Sequence, residues 1–275
     1  MVGRFEGKVL FVTGAARGQG RNHAIRFAQE GADVIAIDAC QDIETVNYPG
    51  ATREDLDETV RAVEAHDRRI VASVVDVRDR AGVITAVDDG VAQLGRVDVV
   101  SANAGIAGFG AAVDLPEDTW RTMIDINLTG QFFTAQAAIP HLVRQNDGGS
   151  IVFTSSIAGL KGTGFLSHYS AAKHALVGLA RSLAKELAPH RIRVNTIHPT
   201  NVDTPMIQNA ALKTLFGGPD LSREDYAATM TPMNLLPTPW VDVDDVTEAL
   251  MYLASDAGRF LTGTALPVDA GATVK

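Results

Sequence analysis

The stretch K-V-L-F-V-T-G-A-A-R-G-Q-G, residues 8–20, places a short apolar run directly before a cluster of glycines. The run that precedes the glycines is mostly apolar or β-branched, which is typical of a strand covered on both faces. Gly14, Gly18 and Gly20 follow a G-x-x-x-G-x-G spacing, and a helix is predicted to begin near Arg21. A strand, a glycine turn and a helix in this order indicate the start of an alternating α/β chain.

The same alternation continues along the rest of the chain. Short β-rich apolar runs predict further strands, and segments of helical length and period separate most of them. Such alternation implies one parallel sheet with right-handed crossovers. We therefore predict a single doubly wound α/β domain over residues 1–275, with helices on both faces of the sheet. The predicted strands are residues 8–13, 32–38, 70–76, 97–102, 150–155, 193–198 and 265–269.

Two longer segments interrupt the alternation. Residues 39–54 form a predicted loop after the second strand, and residues 200–240, rich in Pro, Met and Thr, follow the sixth. Loops of this length are uncommon inside compact domains and are often functional. We interpret residues 200–240 as a substrate lid. Residues 39–54 are either a lid, in which Tyr48 and Pro49 cover a bound adenosine, or an inert surface insertion.

Composition restricts the partners and the compartment that we expect. The chain of 275 residues is 46% hydrophobic and 21% charged, the balance of an ordinary globular protein. Its net charge of −9 argues against nucleic acid or an anionic membrane as the main partner. The single cysteine, Cys40, excludes an intrachain disulfide and fits a reducing, cytoplasmic setting. We find no secretory signal at the N-terminus and no apolar run long enough for a membrane span.

The glycine cluster predicts a dinucleotide site, although a plain strand-to-helix turn is the alternative. Glycine lets the backbone approach closely, so a pyrophosphate can lie on the free N–H groups of the following helix. Asp38 ends the second strand, 18 residues after Gly20, where a carboxylate accepts the ribose hydroxyls and repels a 2′-phosphate. This favours NAD over NADP as cofactor. Arg17 argues the other way, because a cation beside the glycines could meet a 2′-phosphate; Gln19 replaces a commoner aliphatic residue.

Asp76 ends the third predicted strand and allows two interpretations. Its carboxylate could accept a hydrogen bond from the adenine amino group, with Val77 packing on the ring. Alternatively, Asp76 is the N-cap of a helix that begins near Arg78. The sequence alone does not decide between these two roles.

Four further motifs fall at the carboxyl edge of the predicted sheet, where open α/β sheets bind their ligands. Tyr169 and Lys173 are four residues apart, so they lie on one face of a helix with only small residues between them. Such a pair is either part of a solvated helix face or a proton-transfer pair. The motifs are S-A-N-A-G (101–105), D-I-N-L-T-G (125–130), T-S-S-I-A-G (154–159) and Y-S-A-A-K (169–173).

Together the motifs resemble those of the short-chain dehydrogenase/reductase superfamily. The glycine loop, N-A-G, the helical asparagine and a serine 13 residues before Y-x-x-x-K occur in its order, and the resemblance runs from Gly7 to Gly271. It implies a Rossmann-type fold and an NAD-dependent oxidoreductase that interconverts an alcohol and a ketone. D-A-C-x-x-I, N-Y-P-G and H-P-T-N-V-D-T-P-M-I are similar to the mycofactocin-coupled, carveol-dehydrogenase-like members from actinobacteria.

The resemblance implies a role for each catalytic residue. Tyr169 would be the general acid/base, and Lys173 would lower the phenol's pKa from its usual ~10 and hold the nicotinamide ribose. Ser156 would donate to the substrate oxygen; we prefer it to Ser155 because the interval to Tyr169 is that of the family. Asn127 would anchor a water that links Lys173 to solvent, a role compatible with that of a structural residue at a helix kink.

The resemblance also implies cofactor contacts beyond the glycine loop. One group would line the adenine-ribose side, and a second would hold the carboxamide through side chains and the backbone of Val202. Thr200 stands where a glycine is usual, and D-A-G replaces D-G-G near the end, but neither departure removes a catalytic group. The first group is Asn103, Ala104 and Gly105, and the second is Pro199, Val202 and Thr204.

Partners and substrate follow from the same resemblance. In the carveol-dehydrogenase-like members the extra loop is thought to keep NAD bound between turnovers, which implies an external redox carrier of the mycofactocin type. A homotetramer is implied as well. Apolar residues near the site indicate an apolar, cyclic or terpenoid alcohol as substrate, or else an oligomer seam. They are Phe109, Phe165, Leu166, Met206, Ile207, Leu215 and Phe216.

Two other functions stay open. A 3-oxoacyl-thioester reductase is disfavoured by Asp38 and by the acidic surface, since such enzymes mostly use NADPH and bind acidic carriers. A catalytically silent dinucleotide-binding sensor is disfavoured because Tyr169 and Lys173 are both present. His168 and His174 flank this pair; we expect them to pack or face solvent, and no histidine spacing indicates a metal.

Overall fold

The computed structural model describes residues 3–275, and these build one parallel sheet of seven strands between two layers of helices. Residues 1 and 2, where the stretch considered for a secretory signal begins, lie outside the described residues. The sheet has the order β3-β2-β1-β4-β5-β6-β7, and every predicted strand is confirmed to within two residues at each end. The strands are β1 (Val9–Thr13), β2 (Asp33–Asp38), β3 (Ile70–Val74), β4 (Val99–Ala102), β5 (Gly149–Thr154), β6 (Ile192–Pro199) and β7 (Ala265–Val268).

Helices connect the strands, as the alternating pattern predicts. The first begins at Gly18, three residues before the predicted start at Arg21. Within residues 3–275, no helix combines the length and apolar character that crossing a membrane requires. The helices are α1 (Gly18–Gln29), α2 (Arg53–Glu64), α3 (Arg80–Leu94), α4 (Glu117–Ile124), α5 (Gln131–Gln145), α6 (Ser167–Leu187), α7 (Ala210–Leu215), α8 (Arg223–Met230) and α9 (Val243–Ala254).

The core has two layers because successive side chains of each strand point to opposite faces of the sheet. Leu10 joins the layer formed with α1, α2 and α9, whereas its neighbour Phe11 joins the layer formed with α3, α5 and α6. Both side chains are fully buried. Burying a side chain of this size contributes about 1.5–3 kcal/mol to folding stability, so both layers stabilise the sheet.

The position of the ligand crevice follows from the strand order. The chain runs outward from β1 to β3 and then returns to place β4 beside β1. At such a switch point the following loops diverge and leave a crevice at the carboxyl ends of the strands. The hydroxyl of Thr13 accepts the N–H groups of Asn103 (3.1 Å) and Ala104 (3.0 Å), which fixes the two strand ends at the base of this crevice.

The two interrupting segments differ in part from the prediction. The first loop ends at Thr52, because the side chain of Thr52 caps α2. Residues 200–240 contain α7 and α8, so the prediction of a continuous loop was wrong. These helices have only six and eight residues, which is too short for a clear period, and their caps, Asn209 and Ser222, are their strongest signal. They enclose a small separate apolar cluster around the buried ring of Tyr226.

Candidate active site

The loop between β1 and α1 forms a backbone cradle. Gly14 and Gly18 have φ angles of 67° and 56°, a region that favours glycine. A Cβ on Gly20 would overlap the carbonyl oxygen of Gly14, and a Cβ on Gly14 would lie 3.0 Å from the Cα of Ala104. Among the described residues, no side chain caps α1, so its first N–H groups are free. The cradle therefore fits an anionic group such as a pyrophosphate.

Asp38 holds its carboxylate at the edge of the cradle. One oxygen accepts the N–H of Ala16 (3.0 Å) and the other accepts the N–H of Cys40 (3.0 Å). The carboxylate thus faces the glycine loop, where we expect an adenosine ribose. Burial raises the pKa of the Cys40 thiol to about 11, so a reactive thiolate is disfavoured.

Residues 39–52, which we call the strap, cross the crevice between β1 and β4. On one side, the guanidinium of Arg17 donates to the carbonyl oxygens of Pro49 (2.6 Å) and Gly50 (3.0 Å). On the other side, the phenol oxygen of Tyr48 accepts the N–H of Ala107 (3.1 Å), in the loop after β4. The strap is therefore anchored on both walls of the crevice.

Two sequence expectations change with this geometry. Arg17 was considered as a partner of a 2′-phosphate, but its guanidinium is directed to the strap. Tyr48 was placed over an adenosine, but it reaches toward the opposite end of the crevice, close enough to Tyr169 for electrostatic repulsion to raise the pKa of Tyr169. The sequence offers no signal for the Arg17 contact, because its acceptors are backbone carbonyls.

Asp76 binds the side chains of two neighbouring residues at the end of β3. Its carboxylate accepts the backbone N–H (2.8 Å) and the guanidinium of Arg78, and the side chain of Gln41 (2.9 Å). Burial opposes ionisation of this carboxyl, but the hydrogen bonds from Arg78 prevail and hold its pKa below the usual value. The N-cap interpretation was wrong, since Asp79 caps α3. The adenine contact stays a prediction.

Val77 belongs to the core below the crevice. It is buried, and a Cβ added to Gly130 would lie 2.5 Å from one of its methyl groups. Its predicted contact with an adenine ring stays a prediction.

The N-A-G motif connects the cradle to the opposite end of the crevice. The Asn103 side chain donates to the carbonyl of Thr13 (3.0 Å) and accepts a hydrogen bond from the last residue of β5 (3.3 Å). This amide therefore joins three strands. Gly105 lies against the next residues of the site, because a Cβ there would be 2.8 Å from Oδ1 of Asn127 and 3.4 Å from Nζ of Lys173.

Ser156, Tyr169 and Lys173 meet at the carboxyl end of β5, as the motifs predict. Ser156 lies close enough to Tyr169 for its hydroxyl to act on the pKa of the phenol. Nζ of Lys173 donates to the carbonyl of Thr154 (2.7 Å) and lies 5.6 Å from the centre of the Tyr169 ring. The hydroxyl of Ser155 points elsewhere and donates to the backbone carbonyl of Lys173 (2.9 Å).

Asn127 lies in a π-helical turn, Asp125–Gly130, between α4 and α5, where a kink is expected. It is fully buried, and its amide makes a matched pair of hydrogen bonds with the backbone N–H and C=O of Ile106, both 2.8 Å. Asn127 therefore fixes the loop after β4 beside Lys173.

Burial dominates the electrostatics of the pair on α6. It raises the pKa of Tyr169 to about 12, although the nearby hydroxyl of Ser156 acts in the other direction. It lowers the pKa of Lys173 to about 7. The Tyr169 pKa thus moves opposite to the direction expected from Lys173, because a buried amine with this pKa is only partly charged at neutral pH.

The segment after β6 meets the glycine loop. Pro199 ends the strand, and buried Val202 pairs with Val241. Thr204 donates to the carbonyl of Val202 (3.2 Å), and its methyl group would lie 3.3 Å from a Cβ on Gly18. The predicted carboxamide residues therefore border the cradle.

The histidines have different environments. His168 is fully buried, and neither ring nitrogen has a partner among the described residues, whereas His174 is exposed. The expectation of packing or solvent is confirmed for both. Sequence reasoning missed His198, whose ring nitrogen Nδ1 lies 2.7 Å from the carbonyl oxygen of Ser156. In residues 3–275, no group of three or more His, Cys, Asp or Glu side chains is arranged to hold a metal ion.

The predicted apolar residues divide into two groups. Phe109, Phe165 and Leu215 are exposed, and the carbonyl of Phe165 accepts the N–H of Gly110 (2.9 Å). Ile207 and Phe216 form the second group, which packs against the cluster around Tyr226 and supports the segment 200–240 from within. Leu166 is buried and, like Met206, lies outside that cluster.

Comparisons with known proteins agree with this geometry. The short chain dehydrogenase family matches residues 8–214. The sequence is 54% identical, over 99% of both chains, to (−)-trans-carveol dehydrogenase of Rhodococcus erythropolis. Carveol dehydrogenase from Mycobacterium avium, crystallised in complex with NAD, superposes with a TM-score of 0.96 at 50% identity, over 99% of this chain and 100% of that one. A short chain dehydrogenase from Mycobacterium paratuberculosis bound to NAD gives a TM-score of 0.92 at 44% identity, over 99% and 100%.

These matches cover nearly the full length of the chain and include the glycine loop, the serine and the tyrosine–lysine pair. They confirm the predicted resemblance to carveol-dehydrogenase-like proteins as well as to the wider family. The chain belongs to the short-chain dehydrogenase family.

Proposed function

We propose that this protein is an NAD-dependent dehydrogenase that interconverts a secondary alcohol and a ketone. The observation that carries the proposal is the convergence of Ser156, Tyr169 and buried Lys173 at the carboxyl end of β5, beside a glycine cradle. A phenol with a second hydroxyl close by can exchange a proton with a substrate oxygen placed between them. NAD, when bound, accepts the hydride that leaves the alcohol carbon.

The cofactor assignment rests on groups that fit each part of a dinucleotide. The free N–H groups of α1 and the cradle around Gly14 and Gly20 suit the pyrophosphate. The carboxylate of Asp38 suits the two ribose hydroxyls and opposes a 2′-phosphate. Two solved relatives contain NAD, which agrees with this assignment.

During oxidation, Tyr169 receives the proton of the alcohol while Ser156 donates to the same oxygen. The partly charged ammonium of Lys173 favours the phenolate. We assign to Asn127 the ordering of the loop at Ile106 and of a water that links Lys173 to solvent. Each group acts on a proton or on the position of the substrate, which is the part of the chemistry that the protein supplies.

For the substrate, we propose an apolar cyclic or terpenoid alcohol. Phe109, Phe165 and Leu215, on the loops and the short helix that follow β4, β5 and β6, expose apolar side chains, and such side chains favour apolar ligands. The relative from Rhodococcus erythropolis is a carveol dehydrogenase. The segment 200–240, with its own small core around Tyr226, would act as the substrate lid.

Replacing Tyr169 by Phe tests the enzymatic proposal. The variant keeps the ring but loses the proton, so we expect NAD binding to persist and kcat to fall about 10²–10⁴-fold. Tyr252→Phe is the matched control, since Tyr252 is a half-exposed phenol on α9, outside the crevice. Retained turnover in the Tyr169 variant would contradict its role, and NAD binding without turnover in the unchanged protein would favour a silent sensor.

The substrate class is tested separately with a panel of alcohols. We expect carveol-like and other cyclic alcohols to be oxidised in the presence of an artificial electron acceptor, and more slowly with free NAD alone. A preference for reducing a 3-oxoacyl thioester with NADPH would contradict both the substrate class and the cofactor.

We further propose that the strap retains NAD between turnovers. Its two anchors, at Arg17 and at Ala107, close the crevice from both sides, so a dinucleotide would leave only after one of them opens. Reoxidation would then require an external redox carrier, for which we propose the mycofactocin type. Protein purified without added NAD should contain bound cofactor by absorbance and mass; an empty preparation that exchanges NAD freely would contradict retention.

A further inference from the structure

His198 lies at the carboxyl end of β6, one residue before Pro199, and is fully buried. Both of its ring nitrogens have a partner. Nδ1 lies 2.7 Å from the backbone carbonyl oxygen of Ser156, and Nε2 lies 2.7 Å from the hydroxyl of Thr196. None of the roles proposed above uses this side chain.

The two partners determine which ring nitrogen carries the proton. A backbone carbonyl can only accept, so Nδ1 must be the donor to Ser156. Nε2 is then the acceptor in the neutral ring, and the Thr196 hydroxyl donates to it. Burial favours this neutral ring, because it lowers the pKa of His198 to about 4. His198 is thus a fixed hydrogen-bond donor at the pH of an ordinary assay.

Ser156 lies just beyond the last backbone hydrogen bond between β5 and β6. The last backbone bond between β5 and β6 is donated by Ser155 to Ile197 (2.9 Å), and Ser156 follows in an extended conformation. Its carbonyl accepts the N–H of Gly159 (2.8 Å) within the local turn. His198 supplies the second bond to this carbonyl, and it is the bond that ties Ser156 to the neighbouring strand.

We infer that His198 is a positioning residue for the proton-transfer site. By holding the carbonyl of Ser156 against β6, it fixes the backbone from which the Ser156 hydroxyl reaches Tyr169 and the substrate oxygen. Displacement of a catalytic hydroxyl by about 1 Å can lower the reaction rate about 10²-fold. The loss of one hydrogen bond that holds the backbone of Ser156 can therefore slow the reaction. The inference rests on the proposed dehydrogenase function.

Two nearly isosteric substitutions test the inference. Asparagine in His198→Asn can place an N–H donor at the position of Nδ1, whereas glutamine in His198→Gln places its amide one bond further, near Nε2. We expect His198→Asn to lose no more than about threefold in kcat, and His198→Gln to lose about 10–100-fold with little change in the KM for the alcohol. NAD content and thermal stability should be similar in the two variants.

His23→Asn is the matched control, because His23 is also fully buried and also has a threonine partner, Thr247 (2.8 Å), but lies on α1 away from Ser156. It should lower stability without a selective loss of kcat. Equal kcat in His198→Asn and His198→Gln, or losses that follow thermal stability in all three variants, would overturn the inference.

A measurement independent of turnover separates this inference from the proposed function. In protein with ¹⁵N-labelled histidine, His198 should give the signals of a neutral ring protonated at Nδ1. A ring protonated at Nε2 would overturn the inference even if the enzyme oxidises alcohols. Absence of alcohol oxidation in the unchanged protein, with the Nδ1 signal present, would instead reject the proposed function.

Discussion

At the scale of single residues, the site depends on groups whose ionisation is changed by burial. Tyr169 has a raised pKa and Lys173 a lowered one, so the neutral forms of both are favoured where they meet. A neutral phenol is ready to donate a proton to a carbonyl, whereas the reverse reaction requires phenolate. The two directions of the proposed reaction should therefore respond differently to pH.

The first prediction concerns this pH dependence. Oxidation uses Tyr169 as a base, and below its pKa the phenolate fraction grows about tenfold per pH unit. We expect kcat/KM for alcohol oxidation to rise between about pH 6 and pH 9. Ketone reduction uses the neutral phenol and should not rise over this range. Initial rates in both directions test this, and pH-independent oxidation would contradict the assignment of the base.

The second prediction concerns Lys173 and stability. Burial lowers its pKa from 10.5 to about 7, so between these values the unfolded chain binds a proton that the folded chain does not. The free energy of unfolding must then rise with pH in this window, by up to about 1.4 kcal/mol per unit from this group. Lys173→Met removes this contribution. Between about pH 7 and pH 9, the free energy of unfolding measured in urea should therefore rise less steeply with pH in the variant.

Comparison with the unchanged protein isolates the lysine, because Tyr169 titrates above this window in both. Turnover of Lys173→Met should fall as well, since the cation that favours the phenolate is lost. Parallel stability curves for the two proteins would show that the Lys173 pKa is not lowered.

The spacing of the motifs was enough to predict that Ser156, Tyr169 and Lys173 lie together, and the interval to Tyr169 was enough to distinguish Ser156 from Ser155. The direction of the Tyr169 pKa was not accessible, because it depends on how tightly distant elements cover the ring. His198 was missed although it lies one residue from the end of β6, the strand next to the one that precedes Ser156. Strand adjacency was a usable signal for that contact.

At the scale of elements, the strap is the segment that spans the crevice, and its two anchors carry the proposal that it retains NAD. The sequence predicted a long loop here and left open whether it is a lid that carries Tyr48 or an inert insertion. Its path was not predicted, because one anchor uses backbone carbonyls and the other a backbone N–H. Anchors of this kind leave no pattern of paired side chains. The helices within residues 200–240 were missed for a different reason, since helices of six and eight residues carry little periodicity.

The third prediction tests the anchors of the strap. Tyr48→Phe removes the acceptor of the Ala107 N–H, and Arg17→Met removes two charge-assisted hydrogen bonds. A neutral hydrogen bond contributes about 1 kcal/mol and a charged one about 1.5–3 kcal/mol, so we expect NAD release to accelerate about fivefold and at least tenfold, respectively. Release is measured by trapping the freed cofactor with a second dehydrogenase.

Arg53→Met is the control for this series. Arg53 begins α2 directly after the strap, but its guanidinium pairs with Asp57 at the surface (2.9 Å) and contacts neither wall of the crevice. Its release rate should equal that of the unchanged protein. If all three variants release NAD at the same rate, the strap does not retain the cofactor.

At the scale of the whole molecule, the strand order follows from physical rules that the sequence makes visible. Alternating strands and helices imply a parallel sheet, and right-handed crossovers leave few arrangements for seven strands. The oligomeric state is harder to predict from the sequence than the strand order, because an interface combines surface residues from separate parts of the chain. Among the described residues, β7 pairs only with β6, and Phe260, just before it, is 87% exposed. Both features favour contact with another copy of the chain.

The last prediction is that the chain forms a homotetramer that uses this edge of the sheet. We expect light scattering to give four times the chain mass, and Phe260→Glu to reduce it to that of a dimer, because a carboxylate in an apolar interface loses its hydration without gaining a partner. Val74→Glu is the control, since Val74 is a half-exposed residue on β3, the opposite edge strand. A tetramer in both variants would place the interface elsewhere, and a monomeric unchanged protein would exclude the assembly.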